Sequence, residues 1–229
     1  MDFEKLENLL GLKFTNQELV KTAFTHRSYL NEHHDYKNPS NERLEFLGDA
    51  VLQFLSSEHL YQTYTTQPEG TLTNYRAALV CTTSLAEESR KMGFGEFLLL
   101  SNGEEASGGR GREYILANTF EAVLGLIYLE LGIDTCREYL KKNLFYKVQG
   151  IVDEHKYKDL KSGFQEAAQA KYGVTPSYRV IEDWGPDHNK TFKVGVFVND
   201  KQLGVGEGSS KQRAEQSAAK NGMDNIRNN

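Results

Sequence analysis

The sequence predicts two domains of different class: an all-α domain over residues 1–150 and an α+β domain, ordered αβββα, over residues 156–229. Three observations lead there. Apolar residues recur at helical spacing through the first two thirds of the chain, with no strand-like alternation. A polar stretch, residues 149–158, then interrupts the pattern as a linker would. Beyond it come one helical segment, three strand-like runs and an alanine-rich helix.

In the first domain the periodic segments are residues 6–12, 19–24, 44–60, 72–92, 115–131 and 136–148. Breaks are expected at residues 37–40, 65–70 and 101–111. The last, with Gly103, Gly108, Gly109 and Gly111, reads as a flexible loop leading into the next helix. In the second domain a helix is expected over residues 160–172 and strands over 177–183, 190–198 and 202–207. The middle run puts Phe192, Val194, Val196 and Val198 on one face, and Asn199-Asp200 reads as a tight turn. A final helix is expected over residues 211–226, where Ala214, Ala218 and Ala219 allow close approach to a sheet.

With 229 residues, 38% of them hydrophobic, the chain can bury a substantial core. No apolar run long enough to span a bilayer is expected, and the first residues lack the basic and apolar regions of a secretory signal. A cytoplasmic protein with no membrane partner is therefore expected. Cys81 and Cys136 read as reduced core thiols. The net charge of −5 is unevenly spread: residues 1–150 hold 15 Lys and Arg against 21 Asp and Glu, and residues 151–229 hold 12 against 11. Any nucleic-acid contact by the second domain must come from local basic patches.

The most informative stretch is Asn41-Glu42-Arg43-Leu44-Glu45-Phe46-Leu47-Gly48-Asp49. At about 100° per residue, Glu42 and Asp49 fall within roughly 20° of each other and Glu45 about 60° away. Three carboxylates on one face of a largely apolar helix repel one another unless a cation lies between them. Hard oxygen ligands of this kind suit Mg²⁺ or Mn²⁺.

At this run the chain resembles the ribonuclease III family, and the resemblance covers nearly its whole length. Thr25-His26-Arg27-Ser28, Glu69-Gly70 with the residues that follow, Ser107-Gly108-Gly109-Arg110, and Ile115-Leu116-Ala117-Asn118-Thr119-Phe120-Glu121-Ala122 look like further motifs of that family, in the family's order. The resemblance implies an N-terminal endonuclease domain and a C-terminal double-stranded-RNA-binding domain. It implies a divalent-metal-dependent endoribonuclease that cuts duplex RNA to 5′-phosphate and 3′-hydroxyl ends with short 3′ overhangs, in rRNA, mRNA and tRNA processing.

Carried over by the same resemblance, Glu45, Asp49, Asn118 and Glu121 are the inner metal ligands, with Asp49, Glu121, Glu42 and Glu69 catalytic. Glu42 and Glu69 serve the outer part of the site. The cofactor is Mg²⁺, with Mn²⁺ as a substitute. Phe46, between the acids but on a face unlike that of Leu44 and Leu47, would insert into a socket on a second subunit, giving a two-fold homodimer. RNA contacts fall on Ser162, Gln165, Glu166 and Gln169, on the loop Gly185-Pro186-Asp187-His188, and on Ser210, Lys211 and Arg213.

Two departures from the family pattern stand out. Asn118 replaces the usual Asp; its amide oxygen still ligates a hard cation but brings no negative charge. Three consequences remain open: activity retained with a higher metal requirement, cleavage weakened with binding preserved, or a non-cleaving relative. The remaining acids favour the first. Lys211-Gln212-Arg213 stands where the family has consecutive lysines, which lowers the expected RNA affinity. His26 and Arg27 read as helix-end residues that hold structure or touch phosphate, and His33-His34-Asp35 as an exposed loop.

Overall fold

The computed structural model describes residues 1–153, 160–186 and 190–228, with residues 227 and 228 as backbone alone. Its contacts divide the chain into two compact units, Met1–Tyr157 and Lys158–Asn229.

The first unit is helical. It contains α1 (Phe3–Leu10), α2 (Gln17–Ala23), α3 (Arg27–Glu32), α4 (Glu42–Thr63), α5 (Glu69–Leu79), α6 (Thr82–Lys91), α7 (Asn102–Ala106), α8 (Glu113–Leu140) and α9 (Lys147–Asp153). Local chemistry sets several starts. Asp2, Asn16 and Ser101 each accept a hydrogen bond from the backbone N–H three residues on, satisfying a donor the helix leaves unpaired. Helices α4 and α8 form the centre. Leu44, Leu52, Leu55 and Leu60 of α4 pack with Phe120, Val123, Leu124 and Ile127 of α8, all buried. Each such side chain contributes about 1.5–3 kcal/mol on burial.

Four expectations change. The segment 72–92 is two helices, because Cys81 takes an extended backbone (φ −67°, ψ 156°) and starts α6 without any Gly or Pro to announce the break. Cys81 is consequently exposed, whereas Cys136 is buried; both are free thiols. Residues 101–111 are ordered rather than a flexible loop. Arg110 donates to the carbonyls of Gly95 and Leu98, and Arg112 pairs with Glu104 at 2.6 Å. The linker begins later than residue 149, since α9 continues to Asp153 and buries Ile151.

A helix long and apolar enough to cross a membrane, by length and composition, also exists: Glu113–Phe145, with hydropathy 1.4 in its most apolar window. Of that window, 61% is buried within the protein, which is the position of a core helix apolar on every side. Within it, Gly132 leaves helical geometry (φ 81°, ψ 177°) and kinks the rod.

The second unit has α10 (Leu160–Tyr172), β1 (Ser177–Trp184), β2 (Thr191–Val198), β3 (Lys201–Gly208) and α11 (Lys211–Asn228). The strands form one antiparallel sheet in the order β1-β2-β3. Asn199 takes the left-handed conformation (φ 54°) in the turn between β2 and β3, as the Asn-Asp pair suggested. Val196, Val198 and Leu203 of the sheet pack with Phe164, Ala168, Ala218, Ala219 and Ile226 of the helices. Phe192, expected on the same face as the buried valines, is only half buried. Close contact between β3 and α11 requires small residues on both. A Cβ at Gly206 would lie 2.1 Å from the Ala218 nitrogen, and one at Gly204 2.4 Å from the Ala218 carbonyl oxygen.

Candidate functional site

Helices α4 and α8 cross at two glycines. A Cβ on Gly48 would stand 1.8 Å from the carbonyl oxygen of Glu121, and one on Gly125 2.4 Å from that of Leu44. Backbone therefore meets backbone at this crossing. Within two helical turns of it stand the acids: Glu45 and Asp49 flanking Gly48 on α4, and Glu121 with Asn118 preceding Gly125 on α8. A cavity of about 550 Å³ opens there, lined by Glu42, Glu45, Asp49, Asn118 and Glu121. Its other walls are His26, Arg27, Asn41, Phe46, Tyr114 and Ile115.

The electrostatics are those of crowded like charges. Burial, then the charges of Asp49 and Glu45, pushes the Glu121 carboxyl up to about 8. Glu45 is also raised, by burial first and by Glu42 and Asp49, against a hydrogen bond from Asn118 that lowers it. The Asn118 amide thus acts as a donor toward Glu45 where a carboxylate would add a further repulsion. Asp49 accepts from Gln53 at 3.2 Å. Glu42 accepts from the Ser40 hydroxyl at 3.0 Å and faces Arg27 at 3.8 Å.

Among the described residues no three His, Cys, Asp or Glu side chains form a ready-made metal cage. The cavity is open, and its oxygens would have to converge on an ion. Their chemistry fits a divalent one: three carboxylates and an amide oxygen, all hard donors, with two of the carboxylates destabilised as anions until positive charge arrives.

Glu69 is not brought to this cavity. It stands at the start of α5 and accepts from the Thr73 hydroxyl at 3.0 Å. Phe46 lies beside the acids and is 80% exposed, so it is not core of its own subunit. Next to it an apolar groove is lined by Leu47, Phe54, Tyr128, Leu129 and Ile133. His26 caps α3, its Nδ1 contacting the Ser28 hydroxyl at 2.8 Å. Burial chiefly holds its imidazole below the ordinary histidine value. His33 is exposed and stacks on Tyr29. Tyr114 lines the cavity without having been singled out in the sequence, where it is an ordinary residue beside a motif, and Asn41, the first residue of the acidic motif, lines it without having been given a role. Glu88, a buried acid away from the cavity, is accounted for by Lys91 and Lys147 at 2.9 and 2.8 Å and by the Tyr146 hydroxyl at 2.7 Å.

In the second unit Ser162, Gln165, Glu166 and Gln169 are all exposed on α10, at the i, i+3, i+4, i+7 spacing of one helical face. Lys211 and Arg213 are exposed at the start of α11. Ser210 precedes them and accepts from the Arg213 backbone N–H at 3.2 Å, so its hydroxyl serves as the helix cap. Arg213 donates to the Ser209 hydroxyl at 2.9 Å. His188 and Asp187 of the expected contact loop lie outside the described residues. Trp184 pairs with Thr191 at the end of β1 and is 41% exposed.

An acid-lined cavity between two helices, joined in one chain to an αβββα unit with a polar helix face, defines a nuclease-type domain with a duplex-RNA-binding domain. Residues 16–148 match the model of the ribonuclease-III-like family, and residues 160–226 that of the double-stranded RNA binding motif. A curated Ribonuclease 3 of Oceanobacillus iheyensis is 45% identical over 228 residues, spanning the whole of both chains. Two solved structures of the nuclease domain of ribonuclease III from Campylobacter jejuni are each 38% identical. They superpose with TM-scores of 0.56 and 0.57, covering 62% of this chain and 92% and 98% of theirs. The second of them has structural flexibility in a region involved in dimer formation. The chain belongs to the ribonuclease III family and is an endoribonuclease with a double-stranded-RNA-binding domain.

The glycine crossing yields a direct test. Gly48→Ala forces a methyl into the Glu121 carbonyl and should cost about 3 kcal/mol by overpacking. The first unit's melting temperature then falls by roughly 8 °C, and cleavage of duplex RNA drops about 100-fold or more as Glu121 shifts from Asp49. Calorimetry and a gel-based cleavage assay read both; an unchanged melting temperature would remove the crossing as the site's scaffold.

Proposed function

We propose that this chain hydrolyses the phosphodiester bonds of double-stranded RNA with a divalent ion, Mg²⁺ or in its place Mn²⁺, held by Glu45, Asp49, Asn118 and Glu121. The observation that carries this reading is the convergence of Glu45 and Asp49 from α4 with Asn118 and Glu121 from α8 on one open cavity, where crowding also raises the Glu121 carboxyl. Such a cluster is stabilised by a cation held among its carboxylates. Bound there, the ion would supply an activated water and neutralise charge on the phosphate and the leaving oxygen. With water as nucleophile and the 3′ oxygen as leaving group, the P–O3′ bond breaks and the ends are 5′-phosphate and 3′-hydroxyl.

The chain's own residues divide the remaining work. Glu121, Asp49 and Glu45 fix the ion from two helices, so its position follows the crossing. Asn118 lends an amide oxygen and lowers the negative charge of the set, which weakens ion affinity. Glu42, held by Ser40, orients the outer part of the site. Ser162, Gln165, Glu166 and Gln169 meet a minor groove with its 2′-hydroxyls, His188 the next one, and Lys211 and Arg213 the phosphates between, with Ser210 fixing the helix start. The two domains, residues 1–150 and 156–229, act as nuclease and duplex holder.

A two-fold homodimer completes the proposal. An 80% exposed Phe46, a 57% exposed Phe54 and an apolar groove beside them are costly on a lone surface and natural at a self-complementary interface. Two sites related by the two-fold cut opposite strands with a short 3′ overhang. Glu69, remote from its own cavity, belongs in this reading to the outer part of a site. Structured rRNA, mRNA and tRNA precursors in the cytoplasm are the proposed substrates, and free thiols at Cys81 and Cys136 agree with a reducing compartment.

A second reading, a duplex-RNA binder with impaired cleavage, is favoured by Asn118 alone. Titrating Mg²⁺ into the chain and its Asn118→Asp variant with a long RNA duplex separates the two. Cleavage by both is expected, with about tenfold less Mg²⁺ needed by Asn118→Asp. Cleavage by the variant only would establish the second reading, and cleavage by neither would refute the metal site. For the dimer, sedimentation of Phe46→Ala should show association weakened at least about tenfold, the loss of a central aromatic anchor; unchanged association would contradict a Phe46-centred interface.

A further inference from the structure

The cavity wall beside Glu42 carries a cation that is only loosely held within its own subunit. Arg27 lines the same cavity as Glu42, Glu45, Asp49 and Glu121, and its side chain is 75% exposed. Among the described residues its ion pair is a single contact to Glu42 at 3.8 Å, with the Glu42 side chain itself 56% exposed. Glu42 has a closer partner in the Ser40 hydroxyl at 3.0 Å. An exposed pair at that separation holds a guanidinium only weakly. Other arginines of this domain are differently placed: Arg110 and Arg112 are tied into carbonyls and carboxylates at 2.6–2.9 Å.

The base of the Arg27 side chain, by contrast, is fixed. Its neighbour His26 donates its backbone N–H to the Leu99 carbonyl at 3.0 Å and caps α3. Thr25 forms a parallel bridge with Leu99, and its carbonyl accepts from the backbone of Asn41 at 2.8 Å, one residue before α4. Ser28 accepts from the Ser101 backbone at 3.1 Å. The backbone beside Arg27 is thus tied to the residue that precedes the acid-bearing helix, while the guanidinium is left exposed at the cavity.

A phosphodiester approaching three carboxylates is repelled by them. A guanidinium at the mouth offsets this and, being planar, takes two oxygens of one phosphate at once. We infer that Arg27 binds a backbone phosphate of the duplex beside the scissile bond, a substrate-positioning contact made by the nuclease domain itself. This rests on the nuclease reading above and adds to it a fixed register between strand and acids, independent of the contacts on α10 and α11.

The test measures duplex binding in a background that need not cleave. Full-length Glu121→Gln and Glu121→Gln/Arg27→Gln chains are titrated with a fluorescent RNA duplex of about 30 bp in Mg²⁺, across a KCl series. Loss of one phosphate contact should weaken binding about tenfold and reduce the slope of log K against log salt by about one. Arg27→Lys should restore the slope but only part of the affinity, since an ammonium is a point charge without the fork. A merely structural Arg27 would lower the melting temperature and leave the salt slope unchanged, and that result, or an unchanged affinity, overturns the inference. Failure of the parent chain to cleave would overturn the nuclease reading instead, because the salt slope is read without turnover.

Discussion

The rest of the first domain depends on the contact between Gly48 and Gly125. With side chains at these positions, α4 and α8 would stand apart by the thickness of a methyl group or more. Without them, the Glu121 carbonyl lies where the Gly48 Cβ would be. This brings Glu45 and Asp49 into electrostatic range of Glu121, with the raised Glu121 carboxyl as the consequence. Burial of the leucines and phenylalanines around the crossing provides the free energy that holds three acids in mutual repulsion. The second domain uses the same device for another purpose. Gly204, Gly206 and Gly208 let β3 lie against Ala214, Ala218 and Gly222 of α11. The start of α11, with Lys211 and Arg213, is thereby fixed relative to the sheet.

Charge is distributed according to task. The acids collect in the cavity, where a divalent ion and a phosphate meet. The exposed polar face of α10 is nearly uncharged, which suits 2′-hydroxyls rather than phosphates. Phosphate contact falls to a few arginines and lysines, so a net charge of −5 is compatible with RNA binding. Asn118 moderates the cavity by replacing a charge with a donor toward Glu45.

Much of the architecture was legible because it is periodic. The i, i+3, i+7 spacing of Glu42, Glu45 and Asp49 placed them on one face, and alternation placed Val194, Val196 and Val198 inside. The partnership of α4 with α8 came only through family resemblance, since nothing local to Gly48 announces a clash with residue 121. Val80-Cys81 broke a helix without Gly or Pro, so the division between α5 and α6 was invisible. The glycines of residues 101–111 suggested mobility, but their order comes from Arg110 and Arg112 reaching carbonyls and acids distant in sequence.

Whether the acids of α4 and α8 act as one ligand set is tested most directly by binding the ion itself. Mn²⁺ titrated into the full-length chain, with free Mn²⁺ followed by its paramagnetic resonance, reports occupancy without RNA or turnover. A shared site predicts saturable binding that Glu45→Gln on α4 and Glu121→Gln on α8 each weaken by tenfold or more. Binding that survives Glu121→Gln unchanged would contradict it, leaving α4 to hold the ion alone and the glycine crossing without a role in the chemistry.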